Sequence, residues 1–130
     1  MLTPHFEMSE FLVTSVPIDN IPSEYAKKNI RFVANCLEHA RKALDKPIYI
    51  NSGFRTKEVN KAVGGSNTSL HMAGLAVDIN ISNIGYKDMP QFLRALLDTE
   101  PYEVYPISHT AMHISWHPDR RNIINDTFNI

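Results

Sequence analysis

The sequence predicts an α+β domain, an antiparallel sheet with helices packed mainly on one side. Two kinds of periodicity carry this. Ile30, Val33, Leu37, Ala40 and Leu44 recur at helical spacing and form one apolar stripe. Ala76 to Ile81 and Met112 to Trp116 instead alternate, with small or polar residues on one face and β-branched or large apolar residues on the other, as half-buried strands do. At 130 residues the chain fits one domain, 1–130, large enough for an ordinary core and too small for two typical ones.

The elements can be placed in order. Ser9 is a candidate N-cap for a short helix, Glu10 to Val13, which ends before the irregular stretch SVPIDNIP. Pro22 suits the first turn of the following helix, the long one that carries the apolar stripe. The single Cys36 falls in that helix as a small apolar side chain, and one cysteine excludes an internal disulfide framework. His39 lies between the stripe and the charged face, and His5 in the N-terminal stretch; both read as solvated surface. Pro47 starts a strand, PIYINSG, with Ile48 and Ile50 on one face and Tyr49 and Asn51 on the other. Thr56 can cap a short helix in which Val59 and Val63 share a face, and Gly64-Gly65 stops it. After the strand at Ala76 to Ile81 comes a loop through Asn83-Ile84-Gly85. A helix from about Pro90 to Asp98 follows, burying Phe92, Leu93, Leu96 and Leu97. Tyr102 to Tyr105 and Ala111 to Trp116 then read as an antiparallel pair around Pro106-Ile107-Ser108-His109, and Asn122 to Phe128 as a last strand or an arm.

Composition excludes several function classes. Net charge is −1 and no basic run exceeds two residues, so nothing favours a nucleic-acid surface. No apolar run approaches a membrane span, and MLTPHFEMSE lacks the basic and apolar regions of a signal peptide.

The chemistry concentrates in SNTSLHMAGLAVDINI, at 66–81, and in AMHISW, at 111–116. His71, Asp78 and His113 are residue types that bind zinc through nitrogen or oxygen, and three such ligands leave a fourth tetrahedral position open for water. Residues seven apart on a helix would lie about 10 Å apart along its axis, too far for one metal. On one regular strand an odd offset sends His71 and Asp78 to opposite faces. The chain must therefore turn between them, and Gly74 can supply the turn. If the two alternating strands pair with their polar faces together, Asp78 and His113 sit side by side and His71 reaches in from the preceding loop. With six His and fourteen acidic residues in the chain, the His-x6-Asp spacing alone does not separate such a site from unrelated polar residues.

A longer pattern does. SGFRTKEVNKAVGGSNTSLHMAGLAVDI followed by MHISW resembles the zinc D-Ala-D-Ala carboxypeptidases and related peptidoglycan peptidases of the M15 group, above all its compact phage and bacterial branch. The specific part is Ser69, His71, Gly74, Ala76 and Asp78, supported by Ser52 to Arg55. The resemblance implies a single zinc peptidase domain holding one zinc ion at His71, Asp78 and His113, on the sheet face away from the helices. Its substrate would be a peptidoglycan peptide, cut by carboxypeptidase or endopeptidase action. It further implies substrate binding by Arg55 and Ser69. A planar guanidinium at Arg55 could pair with a carboxylate or a developing oxyanion, and a structural salt bridge explains the same residue equally well. The expected chain is a monomer, cytoplasmic or phage-associated, acting on the cell wall.

The catalytic base is where the chain departs from its relatives. Many of them carry a Glu three residues, or a His two residues, before the last zinc ligand; here those positions hold Thr110 and Ala111. His109 is the nearest titratable substitute, on the His113 face if the strand extends that far, and Glu103 across the hairpin is the second candidate. If neither reaches the metal, the alternative is a catalytically weak zinc-containing domain that binds the wall or serves a phage particle.

Overall fold

A computed structural model describes residues 2–120, so the expected strand or arm at Asn122 to Phe128 lies outside the described residues. The first helical element is a 3₁₀ turn, Met8–Phe11, two residues earlier than the helix expected at Glu10 to Val13. Its start is set by Glu7, whose backbone N–H donates to Glu10 Oε1 at 2.8 Å, and Ser9 lies inside the turn. The long helix α1, Glu24–Leu44, is capped by Ser23, whose Oγ accepts from the Ala26 N–H at 3.2 Å. Pro22 therefore precedes the cap. Asp45 ends α1 in the left-handed conformation. The stripe from Ile30 to Leu44 is buried throughout, each large side chain contributing about 1.5–3 kcal/mol by leaving water.

Four strands follow among the described residues: β1 Tyr49–Ser52, β2 Ala76–Asn80, β3 Glu103–Pro106 and β4 Ala111–Ser115, in sheet order β1-β2-β4-β3, every pair antiparallel. Between them lie α2, Lys57–Ala62, capped by Thr56, and α3, Met89–Leu97. Val77, Ile79, Met112 and Ile114 join α1 and α3 in one core, where Phe32 meets Trp116 edge to face at 6.3 Å. This is the α+β architecture expected.

Leu97, expected on the buried side of its helix, and Val63, expected to share a face with Val59, both stand outside the core. Leu97 is 59% exposed because α3 ends there, and Ala95 takes the buried position instead. Val63 is exposed because α2 stops at Ala62, leaving Val59 alone on that face. Among the described residues, no helix is long and apolar enough to cross a membrane.

The polar face of the sheet is ordered by register. Asp78 pairs directly with His113, and His113 with Tyr105, so one row runs across three strands. The next row is Ala76, Ser115 and Glu103. A register irregularity between Ile50 and Ser52 sets Ser52 opposite Asp78, which delivers the following Gly53-Phe54-Arg55 to the same face. Gly53 is required there: a Cβ on it would lie 2.6 Å from the Phe11 carbonyl oxygen, which accepts from the Phe54 N–H at 2.7 Å.

Candidate metal centre

His71 enters the site from a 3₁₀ turn, Leu70–Ala73, whose N-cap is Ser69 and whose C-cap is Gly74 at φ 75°. Ser69 Oγ accepts from the His71 N–H at 3.2 Å, and the Ala73 carbonyl accepts from Asn29 of α1 at 2.8 Å. The left-handed Gly74 reverses the chain into β2, and the expected turn between His71 and Asp78 is this one. His71 is 3% exposed. Its Nδ1 lies 2.6 Å from the Gly53 carbonyl. Because a carbonyl only accepts, Nδ1 carries a proton, which leaves Nε2 as the ring nitrogen facing Asp78 Oδ1, at 3.4 Å. On the other side of that carboxylate, His113 Nδ1 lies 2.8 Å from the same oxygen. Nδ1 or Nε2 of each imidazole and a carboxylate oxygen all fall within 4.8 Å of one another.

Neighbouring groups hold these three in place. Arg55, 18% exposed at its side chain, sets one guanidinium nitrogen 3.6 Å from Asp78 Oδ2. The other donates to Asn60 Oδ1 at 3.4 Å. Asn60, itself buried, donates to the Ser66 carbonyl at 2.9 Å. Tyr105 stacks on the His113 ring with centroids 4.7 Å apart. Glu103 Oε1 lies 3.4 Å from His113 Nε2 and accepts from Ser115 Oγ at 2.7 Å.

Burial alone would push the Asp78 carboxyl up, and it is the largest single influence. The hydrogen bonds and charges of His113 and His71 together outweigh it and hold Asp78 well below the usual carboxylate range. For His113, burial pushes down, but the hydrogen bond and charge of Asp78, and then those of Glu103, raise it above the usual imidazole value. The site therefore stabilises a carboxylate with positive charge gathered round it, and a cation could replace those protons.

The three residues form the floor of a cleft of about 710 Å³. Ser66, Thr68 and Ser69 line it from the segment before His71, and Tyr102, Tyr105 and Ile107 from β3 and its ends. Arg55 and Glu103 line it too; His109 does not. Strand β4 begins at Ala111 and the hairpin turns through 107–110, so His109 stands exposed at the tip and not on the His113 face. Pro106, expected in the turn, is the last residue of β3 and pairs with Met112.

The profile of the peptidase M15 family matches residues 4–115, most of the chain. The chain belongs to the peptidase M15 family. The zinc D-Ala-D-Ala carboxypeptidase of Streptomyces albus G is 42% identical to it over 50 residues, which are 38% of this chain and 20% of that relative. This M15 chain thus spans about a fifth of the relative's length.

The donor set fits a tetrahedral metal. Ligand atoms bound at about 2.1 Å in that geometry lie about 3.4 Å apart, and the contacts of Asp78 Oδ1 with the two imidazoles, 2.8 and 3.4 Å, are close to this. The Gly53 carbonyl on His71 Nδ1 and Glu103 on His113 Nε2 are the kind of outer partners that orient metal-binding imidazoles. Sequence reasoning assigned no part to Asn60 or Tyr105. Nothing in a lone Asn four residues after a helix cap marks it as a clamp, and Tyr105 acts through a cross-strand register that the sequence leaves open.

Proposed function

We propose that this chain is a zinc-dependent peptidase that hydrolyses peptide bonds in peptidoglycan stem peptides or cross-links. The observation that carries this is the convergence of His71, Asp78 and His113 at the floor of a cleft, in a member of a peptidase family. The named activity of the Streptomyces relative supports the choice of zinc and of a D-amino-acid peptide. In this reading His71 Nε2, Asp78 and His113 Nδ1 hold the ion. When bound there, zinc supplies Lewis acidity that polarises a carbonyl and eases ionisation of water.

The chain's own groups do the rest. Arg55 keeps the Asp78 carboxylate turned toward the imidazoles and borders the cleft, where its guanidinium can meet a substrate carboxylate or an oxygen gaining negative charge. Ser69 and Thr68 offer hydroxyls to the peptide backbone. Proton transfer falls to Glu103, since it lines the cleft and His109 does not. Oε1 of Glu103 is engaged by His113 and Ser115, so the proton is carried on Oε2, from water to the departing amine.

The test combines metal analysis with incubation on purified peptidoglycan fragments, products read by mass. Release of a terminal D-alanine marks a carboxypeptidase, and cleaved cross-links an endopeptidase. His71→Ala, Asp78→Ala and His113→Ala should each strip the zinc, and full occupancy in all three after dialysis against a mild chelator would refute the ligand assignment. Zinc binding without any cleavage would favour the second reading, a wall-binding or phage structural domain. That reading is motivated by a hairpin tip that brings no acid or imidazole to the cleft.

A further inference from the structure

We infer that Ser115 is a positioning residue, locking the Glu103 carboxylate against His113 so that Glu103 orients this ring; the inference rests on the reading of the cleft as a zinc site. Ser115 is 0% exposed, yet its hydroxyl belongs to the polar face of β4, two residues after His113. Register places it directly opposite Glu103 on β3, and its Oγ donates to Glu103 Oε1 at 2.7 Å. The same oxygen lies 3.4 Å from His113 Nε2. A glutamate side chain that is 42% exposed at a cleft would ordinarily sample several rotamers. Here, any swing toward solvent takes the partner from a buried hydroxyl, and a buried donor without an acceptor is costly. Burial of Ser115 thus restrains Glu103. The restraint passes to His113: an imidazole whose Nε2–H is held by a fixed carboxylate keeps Nδ1 aimed at Asp78, and Tyr105 stacked on the ring limits its tilt.

A purely structural role for Ser115 would predict lost stability and unchanged zinc affinity. Positioning predicts something else, and a double-mutant cycle separates the two. Zinc dissociation constants would be measured by competition with a chromophoric chelator for the parent, Ser115→Ala, Glu103→Ala and the double variant, with turnover on a purified muropeptide alongside. Ser115→Ala should weaken zinc about 10-fold, as loss of an outer partner commonly does. It should lower kcat with little change in KM. In the Glu103→Ala background the same substitution should change zinc affinity less than about twofold, because the group through which it acts is gone. Parent-like zinc affinity in Ser115→Ala, or single effects that multiply in the double variant, would overturn the inference. Should Ser115→Ala fail to fold, Ser115→Cys, close in volume and a poorer donor, enters the same cycle. A parent that binds zinc and cleaves nothing removes the peptidase reading but leaves the dissociation constants to decide the role of Ser115. A parent that binds no zinc overturns both.

Discussion

At Asp78 one carboxylate meets two imidazoles and a guanidinium, and each contact has a separate origin in the sequence. His113 arrives by strand register, His71 by a turn, and Arg55 from the segment that follows β1. The first was legible in part: a period-two pattern with small or polar residues at Ala76, Asp78, Asn80, His113 and Ser115 gives each strand a polar face, and Asp78 meets His113 once those faces pair, as they do. The partner of Arg55 was not, because it depends on the irregularity between Ile50 and Ser52, for which the sequence carries no signal. Arg55 now has two partners of different kinds, Asp78 at 3.6 Å and Asn60 at 3.4 Å. Lysine keeps the charge and loses the planar fork that reaches both. Arg55→Lys is therefore expected to lower kcat/KM on muropeptides about 10-fold with zinc retained, an effect of about 1.4 kcal/mol in transition-state stabilisation. Unchanged kinetics together with a lower melting temperature would show that the guanidinium serves the fold alone.

Between residues and molecule lie the short elements, and there sequence and structure part most often. The long helix and the strands β2 and β4 were readable as elements because their periodicity shows in the sequence, whereas the pairing of the two strands entered only as a condition. The 3₁₀ turn carrying His71 was read only as a loop, since four residues give no period to detect. The hairpin misled in the other direction: Pro106 suggested a turn, yet on an edge strand a proline need not break the ladder, and the real turn encloses His109. Gly74 is the element on which the His71-to-Asp78 geometry depends. Its φ of 75° is left-handed, and a Cβ there would also lie 2.8 Å from the Ala26 carbonyl oxygen of α1. For an L-residue the backbone term alone is about 1–2 kcal/mol, and the close approach adds to it. Gly74→Ala should then lower the free energy of unfolding by about 2 kcal/mol or more, read from urea midpoints. Zinc affinity should fall with it, because relief of the clash moves the turn that holds His71. A variant with parental midpoint and zinc affinity would show that the turn tolerates a side chain.

Across the whole molecule, α1 is the frame: the sheet packs on it, Asn29 holds the His71 turn to it, and Glu38 ties the N-terminal segment to it. The last of these was not foreseen, as His5 read as surface and nothing in the pattern singled out Glu38. Glu38 is instead 5% exposed, accepting the His5 backbone N–H at 2.8 Å and facing the His5 ring Nδ1 at 2.7 Å. Burial pushes this carboxyl up, but the hydrogen bonds and charge of His5 win, and its pKa lies below the ordinary glutamate value. A folded-state pKa below the unfolded value of about 4.3 means that the unfolded chain binds the proton more tightly. The stabilisation is therefore complete above about pH 4.3 and is lost as pH falls from there through the folded value. Hydrogen bonds to a charged group contribute about 1.5–3 kcal/mol, so Glu38→Gln should cost about 2 kcal/mol at pH 6. Urea unfolding of parent and variant from pH 6 to pH 3 is the measurement. The gap between them should narrow as the parent's carboxylate takes up its proton, with the metal site stripped by chelator in both proteins so that zinc release adds nothing. A gap that stays constant across the range would mean that Glu38 holds the N-terminal segment by packing and not by charge.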